Sequence, residues 1–236
     1  MTIKLLSLNI EQDKHWPAIE ALFSQWGPEI ICLQELFIED FWRLRQQYGW
    51  QGEYVPRLKY RANGQIDGIA IFSRYPYERA TILDYDLGHG EIPELAHVHS
   101  SRPRSVALIL DLIVGDQRLS VATTHFTWSN LGRVTAEQLV NMQLLLRQLE
   151  SYPRLILAGD FNSPRGDSVY ALLEAKYRSH IPASITSTID GELHRAGPLP
   201  YVVDGLFTTD NIEVESVQLL SGVSDHLAIT AELSLR

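Results

Sequence analysis

Asn9, Glu35, His125, the run Asp160-Phe161-Asn162 and the terminal Ser224-Asp225-His226 each follow or precede an apolar, strand-like run. A carboxylate, amide or imidazole at the mouth of a buried strand sits at the rim of a core, where side chains from distant sequence converge on one cleft. Residues 155–163 read as a buried strand ending in a turn, with Gly159 allowing close backbone approach. If the chain stays extended there, Asp160 and Asn162 leave the same face. A carboxylate can take a proton from water while an amide orients that water or donates to a phosphate oxygen, a pairing that suits a hydrolase. Taken alone, the run also reads as an Asx turn after a strand.

The other segments carry the same ambiguity one at a time. An imidazole at His226, ahead of the strand-like 227–231, could donate to a developing negative charge, and Asp225 could reach a metal or a water. A lone Asp-His is equally a surface turn, and His125 after 119–124 is equally structural. Glu35 needs a reason to sit at a core edge. Metal ligation supplies one, because Mg²⁺ is commonly held by one or two carboxylates plus waters; a charge at the start of the next helix is the other. Asp204, within the apolar 201–207, adds a sixth position, and the six together weigh against six unrelated explanations.

The elements that position these residues follow from periodicity. Strand-like runs are expected at 3–8, 30–33, 68–72, 106–114, 119–124, 155–158, 202–207, 214–219 and 227–233. Amphipathic helices are expected at 16–26, 39–48, 136–150 and 168–175, the third from Leu139, Met142, Leu145, Leu146 and Leu149. An α/β layered architecture follows, two mixed β-sheets packed face to face with helices on the outer faces. Segments 53–67 and 86–103 lack sustained periodicity and are expected to be loops at the cleft rim. In and just beyond them, Arg57, Lys59, Arg61, Arg102 and Arg104 could grip a substrate phosphate beyond the scissile one, with Tyr60 or the more distant Trp128 as a stacking surface. His89, His97 and His99 suggest zinc by composition, but their spacing without a Cys partner fits structural or rim roles better.

The chain has 236 residues, 45% of them hydrophobic, enough to bury a substantial core, and is expected to form one domain over 1–236. No stretch of 18 or more apolar residues exists, and the run 3–10 is broken by Lys4, Ser7 and Asn9, so a soluble, cytoplasmic protein is expected. The single cysteine, Cys32, lies mid-strand and reads as a buried, inert thiol. A formal charge of −9 argues against a large non-specific nucleic-acid surface. It leaves room for a phosphate substrate in a cleft whose acids are offset by a divalent cation. No G-x-S-x-G and no G-x-x-x-x-G-K-[ST] is present, which disfavours serine hydrolases and excludes P-loop nucleotidases.

In order along the chain, Ser-Leu-Asn9, Leu-Gln-Glu35, Thr-Thr-His125, Gly-Asp160-Phe-Asn162-Ser, Val-Asp204-Gly-Leu-Phe and Ser-Asp225-His226 resemble the endonuclease/exonuclease/phosphatase superfamily from near the first residue to near the last. The resemblance implies a four-layered αββα sandwich of the DNase I type and a Mg²⁺- or Mn²⁺-dependent phosphoesterase. It implies Glu35 as principal metal ligand, with Asn9, Glu11 and Asp225 on the metal side. Asp160 would then activate the water, Asn162 and His125 would face the phosphate, and His226, held by Asp204, would stabilise the transition state. Thr-Thr-His125-Phe-Thr-Trp is similar to the His-bearing branches. Residues 66–72 with Gly159–Pro164 are nearest the deadenylase and nocturnin branch, with sphingomyelinase-like enzymes as the other near relative. The substrate expected is a phosphodiester, either single-stranded nucleic acid or a small diester. A phosphomonoesterase on a sugar, inositol or lipid phosphate is the second reading, and a silent phosphate-binding module the third.

Overall fold

The computed structural model describes residues 2–86, 92–95 and 102–236. In chain order the elements are β1 (Ile3–Asn9), α1 (Trp16–Trp26), β2 (Ile30–Phe37), α2 (Ile38–Tyr48), β3 (Gln51–Tyr60), β4 (Ile66–Ser73) and β5 (Tyr77–Asp84). There follow β6 (Glu94–Leu95), β7 (Val106–Val114), β8 (Gln117–His125), α3 (Ala136–Leu149), β9 (Leu155–Asp160) and α4 (Ser168–Glu174). The chain closes with β10 (Arg178–Ser179), β11 (Asp204–Thr208), β12 (Ile212–Leu220) and β13 (Ala228–Leu235). One sheet has the order β12-β13-β1-β2-β4-β3-β6 and the other β10-β11-β9-β8-β7-β5.

The central strands are apolar on both faces because both faces are covered. Ile3 and Leu5 of β1, Ile30 and Cys32 of β2, and Ile156 and Ala158 of β9 join one core between the sheets. Their alternates turn outward: Leu6, Leu8, Ile31 and Leu33 pack with Ile19, Phe23, Phe41 and Leu44 of α1 and α2. Leu155 and Leu157 pack with Met142, Leu145, Leu149 and Val169 of α3 and α4. This is the αββα order expected from the sequence.

Topology gathers the site at one end. β1 and β2 run parallel with Asn9 beside Gln34, and β8 and β9 run parallel with His125 beside Asp160. β11 returns antiparallel to β9 with Asp204 opposite Asp160, and β13, antiparallel to β1, begins just after His226. Four strand ends and two strand starts, from both sheets, therefore open on the same edge of the sandwich.

Two expectations are corrected. Segment 53–67 is not a rim loop: β3 pairs with β4 from Gln51 to Lys59, and only a short turn separates them. β5 (Tyr77–Asp84) is a further strand beyond those expected. β3 mixes exposed and half-buried charged residues into its run, and β5 is an edge strand with no fully buried residue, so neither carries the continuous apolar signal of the central strands. The expected loop at 86–103 falls largely outside the described residues, as do His89, His97 and His99; its described part contains β6, paired parallel to Lys59–Tyr60.

Candidate active site

Asp160 is the centre of the cluster. It is buried, and its Oδ2 accepts from Asn9 Nδ2 at 3.2 Å and lies 3.3 Å from His125 Nε2 and 3.9 Å from His226 Nε2. Its Oδ1 accepts from Asn162 N at 2.8 Å, so the Asx turn is present and is part of the site. Asn9 Nδ2 also donates to Glu35 Oε1 at 3.2 Å, tying carboxylates of the two sheets through one amide. Gly159 holds Asp160 in place: with φ at 154°, a Cβ there would meet Thr124 O of the neighbouring strand at 2.1 Å.

His226 and His125 flank Asp160, and their surroundings shift the two imidazoles in opposite directions. His226 Nδ1 pairs with Asp204 Oδ2 at 2.9 Å. Burial opposes its charge, but Asp204, Asp160 and Asp225 outweigh burial and hold its pKa well above the usual imidazole value. His125 goes the other way, held well below that value by burial, the Arg57 guanidinium and the His226 cation. A neutral His125 makes its approach to Asp160 a polar contact rather than an ion pair. Its Nδ1 is buried and, among the described residues, has no hydrogen-bond partner; it lies 4.0 Å from Glu35 Oε1. Asp160 itself is pushed up to about 7, by burial above all; the His226 cation opposes this and the Asp204 charge adds to it. Thr188 sets the frame, its hydroxyl accepting from Asp204 N at 3.1 Å and its carbonyl from Leu227 N at 2.8 Å.

Among the described residues, the non-glycine positions with positive φ are Glu11, Gln12, Glu35 and Asn162, all in or beside the cluster. Glu35 is the extra residue of a β-bulge on β2, where Gln34 pairs with Ile69 but Leu36 with Gly68. Arg57 is the extra residue of a second bulge on β3, where Pro56 pairs with Gly68 and Leu58 with Asp67. The Asp67-Gly68 step of β4 is thus flanked on both sides by bulges that re-aim one acid and one guanidinium. Tyr54 crosses over Gly68, its hydroxyl donating to Leu36 O at 3.2 Å and Ile66 O at 2.9 Å. A Cβ on Gly68 would meet Val55 O at 2.3 Å and the Tyr54 ring at 2.5 Å. Gly68→Ala is therefore expected to destabilise by ~1–3 kcal/mol, the scale of overpacking, measurable by denaturant unfolding. An unchanged midpoint would show that the paired bulges tolerate a side chain.

The remaining expected residues fall as follows. Asp225 is buried beside Ser224 Oγ and pushed up to about 6 by burial, with Glu11 and Glu35 adding to it against the His226 cation. Glu11 lies beside Asn9, its backbone N–H donating to Asn9 Oδ1 at 3.2 Å, but its carboxylate is engaged by Lys14 and His15. One N–H of the Asn162 amide is spent on Phe126 O at 2.9 Å. Arg57 is 3% exposed, with Nε donating to Arg104 O at 3.2 Å. Arg104 does not project into the cleft as a free cation: Asp84 takes it bidentately at 2.7 Å. Lys59 and Arg102 are paired with Glu94 and Glu137, and Arg61 stands exposed in the turn after β3.

Sequence reasoning missed several supports. Asp67 is buried between Glu35 and Arg57 and pushed up to about 8, by burial first and the Glu35 charge second, against Arg57 and a Tyr60 hydroxyl contact. Gln138 and Asn141 sit buried on α3 and reach Thr127 O at 2.8 Å and Thr127 Oγ1 at 2.9 Å. Their signal was available: two amides in register with Met142 and Leu145 on an otherwise apolar stripe.

The sequence pattern described as the Endonuclease/Exonuclease/phosphatase family matches residues 6–226, from just before Asn9 to His226. The chain belongs to that family. It is 29% identical over 178 residues to Nocturnin of Drosophila melanogaster, covering 71% of this chain and 26% of that protein. It is 24% identical over 195 residues to the CCR4-Not complex 3'-5'-exoribonuclease subunit Ccr4 of Yarrowia lipolytica, covering 62% of this chain and 27% of that protein. The chain thus spans about a quarter of the length of these relatives. An endonuclease/exonuclease/phosphatase from Bacteroides vulgatus superposes with a TM-score of 0.78 at 16% identity over 100% of both chains, a likeness of fold. Among the described residues no helix is long and apolar enough to cross a membrane.

Proposed function

We propose that this family member is a divalent-metal-dependent phosphodiesterase that cleaves by in-line attack of water, with a single-stranded nucleic acid or small nucleotidic diester as substrate. The observation that carries the reading is Asp160: a buried carboxylate pushed up to about 7, set between the Asn9 amide, a neutral imidazole and a cationic one. A base with that pKa takes a proton from water near neutral pH without being permanently protonated. The Asn9 amide fixes the orientation of its Oδ2. His226 Nε2 lies 3.9 Å from Asp160 Oδ2, where its N–H would meet the negative charge growing on the phosphoryl oxygens. Asp204 keeps that imidazole charged and aimed. Arg57, delivered by its bulge, supplies a second positive charge, and His125 Nδ1 is a buried polar atom with no partner among the described residues.

Asp160, Asp204 and His226 each bring a ligand atom within 4.8 Å of the others, a set able to hold a metal. Asp204 is already engaged with His226 Nδ1, so we assign the cation instead to Glu35 and Asp225, with Asn9 beside them. The donor set fits a hard ion. Both carboxylates lack a Lys or Arg ion pair among the described residues, and the charges of Glu35 and Glu11 on Asp225 are those a cation would relieve. Bound there, Mg²⁺ or Mn²⁺ would polarise a phosphoryl oxygen and offset the negative field of the cleft. The similarity to Ccr4 of Yarrowia lipolytica, a 3'-5'-exoribonuclease subunit, supports the nucleotidic substrate.

The test is hydrolysis of bis-(p-nitrophenyl) phosphate and p-nitrophenyl phosphate with EDTA, Mg²⁺ or Mn²⁺. Metal-dependent cleavage favouring the diester is expected; a monoester preference would replace the reading with a phosphatase, and undiminished rates in EDTA would remove the metal. Glu35→Ala should raise the Mg²⁺ needed for half-maximal rate by ~10-fold or more and weaken the thermal stabilisation given by Mg²⁺. An unchanged Mg²⁺ titration would take Glu35 out of the metal site.

A further inference from the structure

Trp128 stands apart from the other tryptophans. Trp16 and Trp26 lie under the cations of Arg43 and Lys4, Trp42 packs on Phe41 and Arg45, and Trp50 stacks on Tyr48. Trp128 is 63% exposed and, among the described residues, has neither a ring nor a cation partner. Its backbone, by contrast, is anchored. Phe126 N donates to Asp160 O at 2.7 Å, and Phe126 O accepts from Asn162 Nδ2 at 2.9 Å. Thr127 is held by Gln138, by Asn141 and by Ser105 Oγ at 3.1 Å. Gln138 Nε2 also reaches Asn162 O at 3.2 Å, so one buried amide couples this loop to the residues after Asp160. Two residues span at most ~7 Å, so the Trp128 Cα lies within that distance of a residue hydrogen-bonded to both Asp160 and Asn162.

A large apolar ring kept in water on a fixed backbone at the lip of a polar cleft is a ligand surface more readily than a packing element. We propose that Trp128 is a stacking platform for a nucleobase of the substrate next to the scissile phosphate, and so the chief determinant of preference for nucleotidic esters over other phosphodiesters. Charge points the same way. Of the five cations carried by Arg57, Lys59, Arg61, Arg102 and Arg104, three are committed to Glu94, Glu137 and Asp84. With a formal charge of −9, the protein has little counterion-release affinity to offer a long polyanion. Stacking on one ring is sequence-tolerant and needs only a short single-stranded end, because a base inside a duplex has no free face.

The proposal rests on the phosphodiesterase reading and is tested so that the two fail separately. For wild type, Trp128→Ala and Trp128→Phe, KM and kcat are measured on a single-stranded dinucleotide and on the same diester lacking the base at the platform side. Trp128→Ala should raise KM for the dinucleotide by ~10-fold or more, leave kcat and the abasic diester nearly unchanged, and be largely rescued by Trp128→Phe. Equal losses on both diesters, or no loss on either, would overturn it, as would a larger loss on a glycosyl phosphate than on the dinucleotide. Binding is read independently of turnover as quenching of tryptophan fluorescence by the dinucleotide in Asp160→Asn, with and without Trp128→Ala. Trp128-dependent quenching together with a wild type inactive on every diester would uphold the platform and sink the hydrolase; wild-type turnover without Trp128-dependent quenching would do the reverse.

Discussion

Replacing Asp160 by Asn is expected to lower turnover on a phosphodiester by at least ~100-fold, the scale of removing a positioned general base, while the protein stays folded. The amide keeps the acceptor for Asn162 N and the volume of the site but cannot take a proton. The pH profile separates this role from a structural one. Asp160 is pushed up to about 7, chiefly by burial, so below that pH the native carboxyl becomes protonated and the base is lost. Activity should fall by about tenfold per pH unit on the acid side, and the residual activity of Asp160→Asn should lack that limb. An acid limb that survives in the variant would assign the base elsewhere.

The same shift has a stability sign. An unfolded Asp titrates near ~3.9, so between that value and about 7 the native state holds a proton that the unfolded chain has released, and folding weakens as pH rises through this window. Asp160→Asn should therefore melt at the same or a higher temperature than wild type at pH 8. A group that costs stability where the protein works is kept for chemistry rather than for the fold.

The parts of this site that were legible in sequence and the parts that were not differ physically. Asn9, His125 and Asp160 end strands whose runs are apolar on both faces, and such runs read clearly because alternate residues feed two different cores. The four helices were legible from their apolar stripes, and the structure places them within two residues of the expected bounds. What failed to show was geometry that breaks a period. Glu35 looks like an ordinary member of Gln34-Glu35-Leu36, yet it sits at φ 57° as the unpaired residue of a bulge. Arg57 reads as loop because Pro56 and its charged neighbours interrupt the run, and the bulge that absorbs that interruption is visible only in the pairing with β4. Asp67 carries no sequence signal of its role, since nothing local marks a carboxyl as buried between an acid and a guanidinium 32 and ten residues away. Partners across the two sheets, such as Asn9 with Asp160, have no sequence signature beyond their strand ends.

His226→Ala should cost turnover by a factor similar to Asp160→Asn, ~100-fold or more, because it removes the donor aimed at the developing phosphoryl charge. The instructive variant is its partner. Asp204 lies across the ladder from Asp160 and touches His226 Nδ1 at 2.9 Å, so it acts on the reaction through the imidazole. Asp204→Asn removes the principal charge holding the His226 pKa up and leaves only Asp160 and Asp225 to oppose burial. In wild type the cationic form persists well above the usual imidazole range, so the alkaline limb should lie far to the basic side. In Asp204→Asn that limb should move toward lower pH, with most of the lost activity recovered on acidification until Asp160 protonates. Because both changes strike one unit, the double variant should be little worse than His226→Ala alone. Multiplicative losses in the double variant, or an alkaline limb that does not move, would show that Asp204 contributes independently of the imidazole. The outcome also decides between two uses of the Asp160, Asp204 and His226 cluster: a metal held there would make Asp204→Asn a metal-affinity variant, with losses reversed by added Mg²⁺ or Mn²⁺ rather than by lower pH.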